Sequence, residues 1–136
     1  KNLERILNNK IRRMKIEKKE KFILYKSIAT IINQLESNKF INDKSFASSK
    51  IYNFSLQGKS KNYIKNYLIQ KGIEKNIIVE TLNQYELENP NWEIESAKIF
   101  VRKKKLGLKN KNKNDLAKMA RAGFTYSISK KILEVD

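Results

Sequence analysis

The sequence contains no cysteine and no histidine among its 136 residues. Without cysteine no disulfide can form, which excludes a small secreted scaffold held together by disulfide bridges. The missing side chains also include the commonest general base, the thiolate nucleophile and the usual zinc ligands. The sequence also contains no Walker phosphate loop and no G-x-G-x-x-G motif. We therefore expect a protein that is not an enzyme, has no catalytic residue and no metal site, and needs no cofactor.

Long apolar runs are also absent. No run approaches the roughly 20 residues that a membrane-spanning helix needs. Residues 1–10 are amphipathic and polar, unlike a secretory signal peptide. We expect a soluble, cytoplasmic protein that does not interact with a membrane.

Residues that interrupt regular structure are scarce, with 4 glycines and 1 proline. Chains this poor in turn-forming residues seldom build β-hairpins. Apolar residues recur at helical spacing of three and four, which predicts one helix over residues 17–37 and further helices around 77–85 and 94–101. The pattern predicts an all-α fold.

Acidic residues are few: the sequence has 14 Asp and Glu residues against 30 Lys and Arg, which gives a net charge of +16. Such an excess destabilises a compact fold by self-repulsion and suits a polyanionic partner, most commonly nucleic acid. Residues 1–42 hold 11 basic and 4 acidic side chains, residues 43–90 hold 7 and 5, and residues 91–136 hold 12 and 5. Both ends therefore favour contact with a polyanion. The alternative is a solvated, lysine-rich surface that reflects composition bias.

Capping residues predict where helices begin. Asn42 or Asp43 can cap a helix that includes Phe46, and Ser60 can cap the next helix. Pro90 forbids a continuous helix through residues 89–91.

A glycine followed by an apolar residue marks two helix ends. Gly72 and Gly123 are each predicted to take the left-handed position after a helix, with Ile73 and Phe124 packing back onto it. A shift of 51 positions places five residues on five similar ones: Leu68, Gly72, Ile73, Ile77 and Leu82 on Met119, Gly123, Phe124, Ile128 and Leu133. This recurrence predicts tandem three-helix repeats over residues 1–38, 39–89 and 90–136, with the opening helix of the first repeat missing.

Several segments resemble the RecX family of regulatory proteins. Residues 40–47 (FINDKSFA) are similar to the start of the central RecX repeat, and residues 58–73 to its continuation. Residues 102–107, followed by 116–124, resemble the alphaproteobacterial branch. The resemblance covers residues 40–136 well and residues 1–39 loosely.

The resemblance implies a function as well as an elongated, curved array of repeats. A protein of this family is expected to bind in the groove of the RecA–DNA filament and to restrain filament growth and ATP hydrolysis. It is also expected to contact single- or double-stranded DNA. The resemblance implies no catalysis, and we expect a monomer.

Basic residues are the candidates for contact with DNA or RecA. They are Arg12, Arg13, Lys59, Lys61, Lys65, Lys71, Arg102, Lys103, Lys105 and Arg121. The densest run is 102–105, but consecutive helical positions point about 100° apart, so four in a row cannot face one ligand. The alternative for this run is a solvated helix end, favoured by the helix dipole.

Aromatic side chains can add stacking on exposed bases. Tyr63 lies off the main apolar stripe and is a candidate for stacking, as are Tyr52, Tyr126 and Trp92. Six other aromatic residues are predicted to belong to the core: Phe40, Phe46, Phe54, Tyr67, Tyr85 and Phe124.

Two other functions fit the same residues. One is a sequence-nonspecific nucleic-acid-binding helical protein with no role in recombination. The other is a helix-turn-helix regulator whose recognition helix, 61–71, presents polar side chains at its start. Those side chains are Lys61, Asn62, Lys65 and Asn66.

Overall fold

The computed structural model describes residues 2–107 and 112–133, which form seven helices. They are α1 (Asn2–Arg13), α2 (Lys18–Leu56), α3 (Lys61–Gln70), α4 (Lys75–Glu88), α5 (Trp92–Lys104), α6 (Asn112–Arg121) and α7 (Tyr126–Leu133). No strand occurs within these ranges, so the predicted all-α class is confirmed.

The helices fall into two compact units, Lys1–Asn42 and Asp43–Asp136, and α2 contributes residues to both. In the first unit, α1 packs along the first turns of α2. The Tyr25 hydroxyl donates a hydrogen bond to the Asn8 carbonyl over 3.4 Å, and Ile11 and Ile32 are buried. The second unit contains the rest of α2 and helices α3 to α7.

The helix start predicted at Asn42 or Asp43 is wrong, because α2 continues through both residues. No glycine or proline interrupts residues 18–56. Asn and Asp each cost less than about 0.7 kcal/mol inside a helix, so neither ends one without help. Burial of Ala47 and Ile51 in the core adds tertiary packing that favours the helical path.

Two hydrophobic clusters form the core of the second unit. The first joins α2, α3 and α4 and is closed by Trp92, the first residue of α5. The second joins α5, α6 and α7 around Met119 and Phe124. Phe54, Tyr67 and Tyr85 pack against the first cluster, as predicted. Phe40 and Phe46 do not follow the prediction, since they remain 44% and 36% exposed.

The two predicted glycine-terminated helix ends are confirmed. Gly72 has a φ of +84° and Gly123 a φ of +96°. In each turn the next backbone N–H reaches back to the helix, from Ile73 to the Leu68 carbonyl and from Phe124 to the Met119 carbonyl, both over 3.1 Å. Helices α3 and α6 have the same length and lie 51 positions apart. The larger division into three-helix repeats stays a prediction.

Candidate nucleic-acid interface

A concave surface runs along α3 in the second unit, and we call it the α3 groove. It consists of two adjoining cavities that share Tyr63, Arg121 and Ala122. The larger cavity, of 460 Å³, is basic and is otherwise lined by Gln57, Gly58, Lys59, Phe100, Lys103 and Lys104. The smaller cavity, of 240 Å³, is rich in amides and is otherwise lined by Asn62, Asn66, Tyr67, Gln70 and Gly123.

Buried serines hold the walls of the groove together. Ser60 accepts a hydrogen bond from the Tyr63 backbone N–H over 3.0 Å, which caps α3 as predicted. Its hydroxyl donates to the Ala122 carbonyl over 2.7 Å and so fixes the α6–α7 turn against the start of α3. On the other side, the Ser96 hydroxyl donates to the Lys59 carbonyl over 2.6 Å. This bond joins the α2–α3 turn to α5.

Gly58 lets the α2–α3 turn approach α5 closely. Its φ is +85°, and a Cβ there would lie 2.9 Å from the Phe100 backbone nitrogen. A side chain at this position is therefore both strained and obstructed. The close approach brings Lys59 beside Lys103 and Lys104 at the edge of the groove.

The groove concentrates positive charge. Four basic side chains line the larger cavity: Lys59, Lys103, Lys104 and Arg121. Within residues 2–107 and 112–133, no Asp or Glu lines either cavity, and none of these four forms an ion pair. Lysines elsewhere in the second unit do pair with acids: Lys44 with Glu80, Lys61 with Glu86 and Lys98 with Glu95. Uncompensated charge at a concave surface attracts an anionic ligand.

Aromatic rings line the groove beside these cations. Tyr63 is 39% exposed and packs edge-on against Phe54, with ring centroids 5.4 Å apart. The Lys59 ammonium lies 4.7 Å from the Tyr63 ring centroid. One turn further along α3, Tyr67 has the Lys50 and Lys71 ammonium groups within 5.7 and 5.5 Å of its ring.

The predicted basic residues divide into several surfaces. The groove brings together Lys59, Lys103 and Arg121, and Lys71 lies beside Tyr67 at its far end. Arg102 and Lys105 instead line a separate apolar pocket with Ile132. The run 102–105 is thus split between two surfaces, as its helical geometry requires.

Four of the predicted basic residues line neither the groove nor the apolar pocket. The Lys61 ammonium donates to Glu86 over 3.0 Å, and its backbone N–H donates to Glu93 over 3.0 Å. Lys65 lies near Glu93 as well. Arg12 and Arg13 are exposed at the end of α1, in the first unit.

The carboxyl of Glu93 is partly buried beside the start of α3. Burial raises the pKa of its carboxyl, although the hydrogen bond from the Lys61 backbone and the charges of Lys61 and Lys65 oppose that rise. Lys61 and Lys65 thus face Glu93, on the side of α3 away from the groove.

Sequence reasoning did not select Lys104 or Gln70 as site residues, and it used Asn66 only for the helix-turn-helix alternative. A stripe would have revealed two of them, because Tyr63, Asn66, Tyr67 and Gln70 follow the spacing i, i+3, i+4 and i+7 along α3. This polar and aromatic stripe lies beside the buried stripe that contains Ile64 and Leu68. Lys104 belongs to the basic run 102–105, and only the approach of α5 to the α2–α3 turn distinguishes it from Arg102 and Lys105.

Within residues 2–107 and 112–133, no group of three or more acidic side chains is arranged to hold a metal ion. No described helix is long and apolar enough to cross a membrane.

The fold and the groove define an all-helical, strongly basic protein with a concave, cationic and aromatic surface suited to a polyanion. Curated proteins named Regulatory protein RecX are similar to it. The relative from Myxococcus xanthus is 29% identical over 115 residues, which cover 79% of this chain and 60% of that protein. The relative from Clostridium botulinum is 34% identical over 104 residues, which cover 76% and 47%. The relative from Streptococcus agalactiae is 32% identical over 111 residues, which cover 80% and 43%.

The chain thus spans about half the length of the curated relatives it matches. The similarity extends over most of this chain and supports the RecX family that the motifs indicated. Its place in the alphaproteobacterial branch stays a prediction. No protein-family model matches the chain. No solved structure matches it significantly.

Proposed function

We propose that this chain is a RecX-type regulatory protein that binds the RecA–DNA filament and lowers the rate of RecA ATP hydrolysis. The observation that carries the proposal is the similarity to proteins named Regulatory protein RecX over three quarters or more of the chain. The single- or double-stranded DNA of the filament is the second expected partner.

The groove supports this function physically. A nucleoprotein filament displays phosphate and protein surface side by side. The larger cavity offers Lys59, Lys104 and Arg121 to phosphate. The separate apolar pocket around Arg102 and Lys105, outside the groove, offers a surface to the protein component of the filament. Linking weak contacts to both components increases the effective concentration of each for the other. A protein bound in this way obstructs the addition of further RecA subunits, on which filament growth depends.

The test follows RecA on single-stranded DNA while the protein is titrated in. ATP hydrolysis and filament length should both fall as the protein concentration rises. A variant with Lys104→Ala and Arg121→Ala should inhibit less than a variant with Lys75→Ala and Lys131→Ala, which removes the same charge from exposed positions on α4 and α7. Unchanged hydrolysis and length at saturating protein would contradict the proposal.

A sequence-nonspecific nucleic-acid-binding protein is the second candidate, favoured by the basic groove itself. It predicts the same binding to free DNA and no effect on RecA beyond competition for DNA. The control is an unrelated DNA-binding protein added until it occupies the same fraction of the DNA. Any loss of RecA activity beyond the loss that this control causes is regulation and not competition for DNA.

The helix-turn-helix alternative is disfavoured by the surroundings of α3. The start of a recognition helix must be free to enter the major groove. Here the Asn62 side chain donates to the Gly123 carbonyl over 3.0 Å, and Lys61 is paired with Glu86. The α6–α7 turn therefore packs against the start of α3 and obstructs insertion of this helix into a major groove.

A further inference from the structure

We propose that the α3 groove binds single-stranded nucleic acid, with an unpaired base stacking on Tyr63 and the neighbouring phosphates contacting Lys104 and Arg121. The proposal deepens the proposed function, on which its cellular role rests, by assigning the strand contact to particular residues. The binding itself is measured without RecA, so the two can fail separately.

Tyr63 is exposed and is supported by a neighbouring aromatic ring. It lines both cavities and lies where the basic and amide-rich halves meet. Phe54 packs edge-on against it at an interplanar angle of 86°, which fixes the ring against α2. A ring that is held in place loses little conformational entropy when a base stacks on it.

Lys59 lies beside Tyr63 in the larger cavity. Its ammonium lies over the Tyr63 ring at 4.7 Å, so the ring is reachable by a flexible cationic side chain. A base that stacks there displaces the ammonium from the ring. The displaced ammonium stays within the basic cavity, where it can pair with the phosphate attached to that base.

Amide side chains line the smaller cavity. Asn66 and Gln70 lie one turn apart along the smaller cavity, next to Tyr67. Amide side chains both donate and accept hydrogen bonds, so they accommodate the edge of any base. Stacking is equally tolerant, because every base has a π-face. The groove therefore predicts little sequence preference.

Stacking on Tyr63 favours a single strand over a duplex. Inside a duplex, neighbouring base pairs stack and cover one another's faces, whereas an unpaired base offers a free face for stacking on an aromatic ring. The cavities of 240 and 460 Å³ give a base with its sugar and phosphate room to enter the groove. An acidic peptide would pair with the cations but has no base to stack on the Tyr63 ring.

Fluorescence anisotropy with labelled oligonucleotides of equal length tests the assignment. The probes are oligothymidylate, the same backbone with abasic sites throughout, and a duplex. The unaltered protein should bind oligothymidylate about tenfold more tightly than the abasic strand, which is the difference expected from stacking. Tyr63→Ala should remove that difference, and Tyr63→Phe should keep it because the ring remains.

The matched control is Tyr126→Ala, which removes a tyrosine that is 64% exposed and lines neither cavity of the groove. It should behave like the unaltered protein. The abasic comparison needs no substitution and so stays decisive if Tyr63→Ala folds poorly.

Three results would overturn the proposal. They are equal affinity of the unaltered protein for abasic and base-containing strands, tighter binding of the duplex, and unchanged strand binding by a folded Tyr63→Ala variant. If that variant instead loses only its effect on RecA, the groove contacts protein. RecA inhibition that persists without base-dependent binding would leave the proposed function standing while this assignment fails.

Discussion

Ser60 and Ala122 lie 62 positions apart in the sequence, yet the Ser60 hydroxyl donates a 2.7 Å hydrogen bond to the Ala122 carbonyl. The same oxygen caps α3 by accepting from the Tyr63 backbone N–H. One fully buried side chain thus sets both the beginning of α3 and the position of the α6–α7 turn.

Replacing Ser60 with alanine removes the cap and leaves the Ala122 carbonyl without this donor. The free energy of unfolding should fall by about 1–3 kcal/mol. Urea denaturation followed by circular dichroism measures the change, and Ser127→Ala on the exposed face of α7 is the control. A decrease no larger than that of the control would mean that Ser60 contributes neither bond to stability.

The two helix-terminating glycines should differ in their response to alanine. At Gly72 the added Cβ meets no atom within 4 Å. Only the left-handed conformation is penalised there, by about 1 kcal/mol. At Gly123 the Cβ would lie 2.5 Å from the Ser60 hydroxyl oxygen. Gly123→Ala should therefore destabilise the protein more than Gly72→Ala in the same urea titration, and the reverse order would contradict this account of the α6–α7 turn.

The run 102–105 allows a test in which the total charge is held constant. Lys104→Ala with Arg121→Ala removes two charges from the groove, whereas Arg102→Ala with Lys105→Ala removes two from the separate pocket. The groove variant should lower the log–log salt slope of single-strand binding by roughly 0.7 for each phosphate that is no longer neutralised. The pocket variant should leave the slope nearly unchanged. Equal slopes for the two variants would show that net charge, and not the groove, determines binding.

Glu93 should give a pH-dependent difference in stability. Burial raises the pKa of its carboxyl, so the folded protein disfavours the ionised form. The cost is present above that pKa and disappears as the carboxyl becomes protonated at lower pH. Glu93→Gln keeps an acceptor for the Lys61 N–H and avoids the cost. The variant should thus exceed the unaltered protein in stability at about pH 7 and lose that advantage near pH 4, as measured by urea unfolding at both values.

Local chemistry made the helix ends predictable. A left-handed glycine, a serine cap and a proline act within a few residues, which is why Gly72, Gly123, Ser60 and Pro90 were interpreted correctly. The continuous α2 was missed because Asn42 and Asp43 resemble caps. Their side chains cap a helix only where the backbone leaves the helical conformation, and the packing of Ala47 and Ile51 keeps it helical.

The composition of the groove was only partly predictable. Lys59 and Lys61 are two positions apart and carry the same charge, yet Lys61 pairs with Glu86, a residue 25 positions away. No local pattern distinguishes them. Arg121 and Lys59 become neighbours only because the α6–α7 turn packs against the start of α3. Residues that depend on such long-range packing cannot be selected from spacing alone.

The α3 groove lies where the two hydrophobic clusters of the second unit meet. Tyr63 belongs to a helix of the first cluster and Arg121 to a helix of the second. A strand that contacts both residues binds only while the clusters are docked, so its binding energy is added to their cohesion. Occupancy of the groove would therefore stabilise the contact between the two clusters. Saturating oligonucleotide should shift the unfolding of both clusters to the same higher temperature, and mechanical tension on a bound strand should pull directly on their junction.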